Sequence, residues 1–313
     1  MARTVVATAY GQPSDVVEVR EIPSPVPEAG QVVVDVRASA LNPIDVKTVA
    51  GVMGSDPAKL PIHIGFEAAG VVSAVGDGAV NSTGTPIVVG DEVVVYRAVG
   101  GLSSEILATG SAVHPKPAGL SFDVGAGLLL VGVTAADTIA TAGVSDTDTV
   151  LIHGGAGAVG AITTQLAIAK GAKVIATAAE RNHDFLRDLG AIPVTYGDGL
   201  LDRVRAAAPD GVSAAIDTVG TDEAVDVSTA LVGDRARIVS IAAFGRGGDV
   251  TLVDGSTEQS RANRARAIGQ LLDDAAAGRL VLDVAKIFDL DDAATALTEL
   301  ATAHPRGKFI LHP

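Results

Sequence analysis

A chain of 313 residues is longer than a single compact core usually spans, so two domains are the starting expectation. Its balance of 48% apolar and 19% charged residues excludes intrinsic disorder, and a formal net charge of −14 argues against a nucleic-acid backbone or an anionic membrane surface as partner. Cysteine is absent, which excludes disulfides and every thiolate metal site.

Residues 1–6 run into a strand-like segment with no signal-peptide core, and no apolar run reaches the roughly 18 residues that span a bilayer. A soluble, cytoplasmic protein is expected. The first third reads as β-structure. Residues 32–39 alternate, with Val34, Val36 and Ala38 on one face and Asp35, Arg37 and Ser39 on the other. Short apolar runs follow at 69–75 and Glu92–Tyr96, bounded by Gly, Asp or Pro, while Pro23, Pro25 and Pro27 punctuate the stretch between early strands. Many short strands with few helical patterns predict a small barrel.

The character changes near residues 115–120. From there to about residue 260, strands are expected at Thr149–His153, 173–178, 192–195, Ala214–Asp217 and 237–241, with helices such as 158–170 and 181–189 between them. That alternation specifies a parallel sheet covered on both faces. A helix over 263–277 precedes a tail with a strand at 281–284, a helix at 291–302 and a last strand at 309–311, a mixture that points back to the first domain.

Gly155-Ala156-Gly157-Ala158-Val159-Gly160 follows the strand Thr149–His153 and opens the helix at 158–170. A lone glycine pattern is a weak signal in a chain with 36 glycines; the strand before it and the helix behind it make it specific. Gly155 is expected to permit the tight turn, Gly157 to let backbone approach a pyrophosphate, and Gly160 to let the helix pack close to the sheet. The bland alternative is a ligand-free turn, disfavoured because each flexible glycine destabilises ordered structure by about 0.5–1 kcal/mol relative to Ala. The second strand ends neutrally near Ala178, and Arg181 with Asn182 follows within reach of a 2′-phosphate, so NADPH is the expected cofactor. Glu180 opposes this if the strand runs longer, since a strand-end carboxylate reads the free ribose of NADH. A solvated helix cap is the other reading of Arg181 and Asn182.

These residues, together with Asn42-Pro43-Ile44-Asp45-Val46-Lys47, Gly65-Phe66-Glu67-Ala68-Ala69-Gly70, Gly90-Asp91-Glu92-Val93, Val133-Thr134-Ala135, Asp217-Thr218-Val219-Gly220 and Gly307-Lys308-Phe309-Ile310-Leu311, stand in a familiar order. The chain resembles the medium-chain dehydrogenase/reductase superfamily, in its zinc-free quinone oxidoreductase branch. The resemblance implies an α/β fold: a GroES-like β-barrel catalytic domain at 1–121, a Rossmann doubly wound parallel sheet at 122–262, and a return to the catalytic domain at 263–313. It also implies a homodimer or homotetramer. Thr134 would then contact the nicotinamide side, Ser240-Ile241-Ala242 would pass the nicotinamide carboxamide, and Val219 would belong to the cofactor site.

In zinc-dependent relatives a Cys stands at the position of Asn42 and a His at that of Phe66; here neither ligand is present, and the six histidines are scattered at 63, 114, 153, 183, 304 and 312. No metal is expected, His63 being read as a packed or surface imidazole. Without a Lewis acid, favoured substrates spread the transition-state charge, as quinones and conjugated enones or enals do on accepting hydride. Candidate catalytic residues are Asn42, Lys47 and Tyr96. Asn42 is open to two readings, donor to a substrate carbonyl or tie within its loop, and Asp45 is read as ordering that loop. Lys47 stands where some relatives carry Tyr and is also readable as a solvated lysine; Tyr96 is equally readable as core or rim. Rival readings are an enoyl-thioester reductase, for which the basic cluster at 261–266 reads more simply as a solvated face, and a non-catalytic NADPH-binding or redox-sensing protein.

Overall fold

The computed structural model describes residues 1–303 and 306–313; His304, one of the six histidines, lies outside the described residues. The chain divides into two units, residues 1–130 with 272–313, and residues 131–271.

The first unit opens with strand β1 (Ala2–Ala7), the short helix α1 (Pro13–Val16), β2 (Val17–Ile22) and the long β3 (Gln31–Ala40). Helix α2 (Pro43–Val49), β4 (Ile62–His63), β5 (Glu67–Val75), β6 (Glu92–Tyr96), β7 (Glu105–Thr109) and β8 (Val113–Pro115) follow. Helix α3 (Phe122–Thr141) then leads into the second unit, whose strands are β9 (Thr149–His153), β10 (Lys173–Thr177), β11 (Ile192–Val194), β12 (Ala214–Asp217), β13 (Ile238–Ser240) and β14 (Thr251–Leu252). Its helices are α4 (Ala158–Ala169), α5 (His183–Asp188), α6 (Leu200–Ala207), α7 (Asp222–Leu231) and α8 (Glu258–Ala276). The chain ends in the first unit with β15 (Val284–Asp289), α9 (Ala293–Thr302) and β16 (Lys308–His312).

In the first unit β3 organises a seven-stranded sheet of order β15-β16-β3-β5-β6-β8. One edge of β3 pairs antiparallel with β5; the other takes β7 along residues 31–35 and β16 at Ser39 and Ala40. The returning C-terminal strand therefore completes a sheet begun near the N-terminus. A register shift between Val36 and Ala38 interrupts the expected alternation, and Ser39 is buried with its hydroxyl donating to the Gly101 carbonyl at 2.6 Å. The strand expected at 281–284 instead begins at Val284. It is an edge strand with Lys286 and Ile287 exposed and Phe288 buried, so little apolar pattern marks it.

The second unit holds a six-stranded parallel sheet of order β11-β10-β9-β12-β13-β14, the order in which two mononucleotide-binding halves meet between β9 and β12. Alternate residues face opposite layers. Val150, Ile152, Val174, Ala176, Ala214 and Ile216 pack with Ile139 of α3, Ala167 of α4 and Leu186 of α5. Leu151, Ile175, Ala215 and Ile238 pack with Leu200 and Val204 of α6 and Val225 and Val227 of α7. Both faces being covered, the central strands read as consecutive apolar residues at their centres, such as Val150-Leu151-Ile152 and Val174-Ile175-Ala176, rather than alternating.

Three expectations need adjustment. The crossings between units fall inside α3 and α8 rather than at 121/122 and 262/263, because the first turns of α3 belong to the barrel: Gly125 lies against Val94 and Ala69, and Gly127 against Lys308 and Leu282. The helix expected at 181–189 is split into a 3-10 turn at Glu180–Asn182 followed by α5. And α3, at 20 residues, is long and apolar enough to cross a membrane despite Asp123 and Asp137; 67% of its apolar window is buried within the protein, the signature of a core helix.

Candidate functional site

The loops leaving β10, β9, β12 and β13, which are neighbours in the sheet, carry nearly all the expected cofactor residues: Ala178 to Asn182, Gly155 to Gly160, Val219, and Ser240 to Ala242. In a doubly wound sheet this carboxyl edge, at the switch between β9 and β12, is where ligands bind. Thr134 lies apart from these loops in sequence, half-buried on α3.

The glycines of the turn divide by what they touch. Gly154, not Gly155, adopts the left-handed conformation (φ 75°) and makes the tight turn, which corrects the expected assignment. Gly155 instead nests on β10: a Cβ there would stand 2.7 Å from the Ala176 Cβ, and its N–H donates to the Thr177 carbonyl at 2.9 Å. A Cβ on Gly160 would stand 2.1 Å from the Gly154 carbonyl oxygen, so the close approach of α4 to the turn requires glycine. Gly157 is different. Its Cβ would meet only the Gly154 oxygen, at an ordinary 3.4 Å, so nothing inside the protein demands glycine there.

Gly157 is also the N-cap of α4, and no side chain caps that terminus. The first-turn amides of Ala158, Val159 and Gly160 have no helical partners and add the positive end of the helix dipole. An uncapped helix start beside an open glycine fits a diphosphate. At the tip of β10, Ala178 is buried and its N–H donates to the Val194 carbonyl at 3.0 Å. The strand ends at Thr177, so Glu180 lies out on the exposed 3-10 turn rather than at the tip. Arg181 beside it is exposed and has no hydrogen-bond or ion-pair partner among the described residues; Asn182 is half-buried.

The loops after β12 and β13 are fixed by a buried carboxylate. Asp217 Oδ1 accepts the N–H groups of Val219 and Gly220, both at 2.9 Å, and Oδ2 accepts the Ser240 hydroxyl at 2.6 Å. The Ser240 oxygen in turn accepts the N–H groups of Ala242 at 3.1 Å and Ala243 at 2.9 Å. Ser240 is fully buried with its hydroxyl thus committed, so it orders the loop rather than offering that group to a ligand; Val219 is half-exposed, and Ile241 and Ala242 are partly so. Next to Asp217, burial pushes His153 down to about 4 against the opposing pull of the carboxylate. The Ser228 hydroxyl donates to the Ala224 carbonyl, leaving its oxygen to accept from His153 Nε2 at 3.1 Å.

In the first unit, the three expected catalytic residues fare differently. Asn42 is buried as the N-cap of α2, and its own N–H donates to Asp45 Oδ2 at 2.8 Å. Its side-chain amide donates to Glu67 Oε1 at 3.1 Å and, at a long 3.4 Å, to the Ala40 carbonyl; its Oδ1 accepts from Lys308 Nζ. Of the two readings of Asn42 the geometry favours the tie, since both amide hydrogens face acceptors within the protein, one of them at the long 3.4 Å. Tyr96 is buried and sets its ring edge-on to Phe66, with centroids 6.4 Å apart. Lys47 is exposed on α2 without a partner among the described residues.

Around Asn42 stands a buried polar knot that carried no assigned role. Lys308 Nζ donates to Glu67 Oε1 at 3.1 Å, and Leu130 N–H donates to Glu67 Oε2 at 2.8 Å. Burial raises Asp45 to about 7, against the Asn42 N–H and the charge of Lys308. The signal for this knot was present as charged residues set into apolar strands, Glu67 before Ala68-Ala69-Gly70 and Lys308 before Phe309-Ile310-Leu311; such charges need partners. The donor set does not suit zinc: Phe66 has no donor atom, Asn42 is engaged, and among the described residues no three His, Asp or Glu side chains converge.

Comparison with known proteins adds to this geometry. Residues 28–129 match the family model described as an alcohol dehydrogenase GroES-like domain, and residues 158–269 the model described as a zinc-binding dehydrogenase. The mitochondrial reticulon-4-interacting protein 1 of Caenorhabditis elegans is 37% identical over 202 residues, 58% of this chain and 54% of the relative. The quinone oxidoreductase of Mus musculus is 33% identical over 184 residues, 57% of this chain and 53% of the relative. The matched stretches thus span about half the length of these relatives. Among solved structures, Escherichia coli quinone oxidoreductase complexed with NADPH superposes with a TM-score of 0.85 at 26% identity, covering 99% of this chain and all of the other.

Proposed function

The chain belongs to the medium-chain dehydrogenase/reductase superfamily, in its quinone oxidoreductase branch, and from that premise we propose an NADPH-dependent, zinc-independent reductase that transfers hydride to a quinone or a conjugated enone or enal. One observation carries the reading: α4 begins uncapped beside a glycine that no internal contact requires, at the carboxyl edge of a sheet in the dinucleotide-binding order. Bound there, NADPH supplies a hydride from its nicotinamide ring. The chain's own part is to grip and orient. First-turn amides of α4 hold the diphosphate, and the fork of Arg181 pairs the 2′-phosphate that Glu180, lying off the strand tip, does not displace.

Substrate class follows from the missing zinc ligands. Where Asn42 and Phe66 replace metal donors, developing negative charge must be delocalised by the substrate itself and met by hydrogen-bond donors. Lys47 is the donor proposed for that charge, because it is exposed and uncommitted, whereas Asn42 is tied into the polar knot. Lys47→Ala should lower kcat/KM for a quinone by about tenfold; an unchanged value removes Lys47 from the mechanism.

A thioester substrate would need a phosphate site, and the arginines of α8 are occupied: Arg264 on Asp137, Arg266 on Asn263, and Arg261 on the Ser256 carbonyl. NADPH oxidation should therefore be fastest with naphthoquinones and enals and slower with crotonyl-CoA, and the reverse order would overturn the proposal. Chelators and added zinc should leave activity unchanged. A cytoplasmic homodimer or homotetramer completes the reading, with the short edge strand β14 as the open end of the sheet for pairing; light scattering giving a monomer would refute the assembly.

A further inference from the structure

The carboxyl edge contains a buried acid, not itself among the expected cofactor residues, that governs the two loops carrying Val219 and Ser240 to Ala242. Asp217 is 1% exposed, and its oxygens accept from Val219 N–H, Gly220 N–H and the Ser240 hydroxyl. Through Ser240, which uses its one donor and accepts the amides of Ala242 and Ala243, the same carboxylate sets the turn after β13. The two loops also meet directly, since a Cβ on Gly220 would stand 2.7 Å from the Ala242 carbonyl carbon. At their roots the loops are joined by the β12–β13 pairing and by Ile241 N–H, which donates to the Asp217 carbonyl at 3.1 Å; beyond that point the side-chain hydrogen bonds that tie them converge on Asp217.

We propose that Asp217 is a positioning residue which, through Ser240, aligns the Val219 and Ile241–Ala242 backbones for the nicotinamide half of the bound dinucleotide, while leaving the adenosine half untouched. The inference rests on the NADPH reading of this edge. The sheet order separates the two halves: the tip of β10 reads the adenosine ribose, α4 the diphosphate, and β12 and β13 lie beyond β9 on the other side. Asparagine cannot replace the carboxylate, because an amide has one acceptor oxygen and its NH2 cannot accept from either the Ser240 hydroxyl or Gly220 N–H. Removal of the Ser240 hydroxyl leaves two loop amides without their acceptor and Asp217 Oδ2 with only the Gly220 N–H at 3.1 Å.

The test measures binding of NADPH and of 2′,5′-ADP, which contains only the adenosine half, to the full-length wild type, Asp217→Asn and Ser240→Ala by calorimetry. Both variants should weaken NADPH by about tenfold or more and lower kcat with a naphthoquinone, while 2′,5′-ADP affinity stays within about twofold of wild type. Equal weakening of both ligands would mark a merely structural role and overturn the proposal, as would unchanged NADPH binding. Should Asp217→Asn not fold, Ser240→Ala, which deletes one oxygen, decides between these outcomes. A wild-type protein that binds neither ligand would instead refute the cofactor reading itself.

Discussion

The two units treat polar groups in opposite ways. In the first, Asn42, Glu67 and Lys308 hydrogen-bond one another within the protein. In the second, α4 opens with no side-chain cap, and the exposed guanidinium of Arg181 has no partner among the described residues. Satisfied polar groups hold structure; unsatisfied ones, kept at the surface where water relieves them, await a ligand. The contrast assigns stability to the first constellation and binding to the second.

The sharpest way to break that division lies within the glycine turn. Gly160→Val forces a side chain onto the Gly154 carbonyl and should destabilise by about 3 kcal/mol or more, with NADPH binding lost; Gly157→Ala should melt like wild type yet bind NADPH about tenfold more weakly. Thermal melts alongside calorimetry check both, and a Gly157→Ala protein that binds normally would show that position to be free of ligand. Next, Lys308→Met strands the buried Glu67 and should lower unfolding free energy in urea by about 3–5 kcal/mol, whereas Glu67→Gln with Lys308→Met should lose clearly less than the sum of the single changes. Additive losses would mean the pair is not coupled.

Acid should weaken the fold through two histidines. Burial lowers His114 and His153 from 6.5 to about 4, so between those values the unfolded chain binds protons the folded chain refuses; their stabilisation is complete above about 6.5 and is lost as pH falls toward 4. Asp45, raised from 3.8 to about 7, works in the opposite sense, contributing below 3.8 and fading as pH rises to 7. His114→Leu should therefore flatten the acid-side slope of stability by about 1.4 kcal/mol per pH unit in urea titrations, and an unaltered slope would contradict a buried neutral imidazole.

The parallel sheet and its glycine turn were legible because their information is local. Thr149–His153 and Ala214–Asp217 have apolar centres, Val150 to Ile152 and Ala214 to Ile216, their bounds match the expected ones, and the turn follows its strand directly. The exposed edge strand β15 has no such pattern. The polar knot was hidden for another reason: Lys308 and Glu67 are 241 residues apart in sequence, and only the return of β16 to β3 brings them together. Gly154 was passed over because the motif begins one residue later, although the turn's left-handed residue is the earlier glycine. Asp217 stood in a recognised motif without a role, since its value lies in the two loops it ties.

The most direct test compares NADPH and NADH binding to wild type and to Arg181→Ala, followed by nicotinamide fluorescence. NADPH should bind wild type about tenfold or more tightly than NADH, through the charge-assisted pairing of Arg181 with the 2′-phosphate, and the preference should collapse in the variant. Equal or tighter binding of NADH by the wild type would contradict the account.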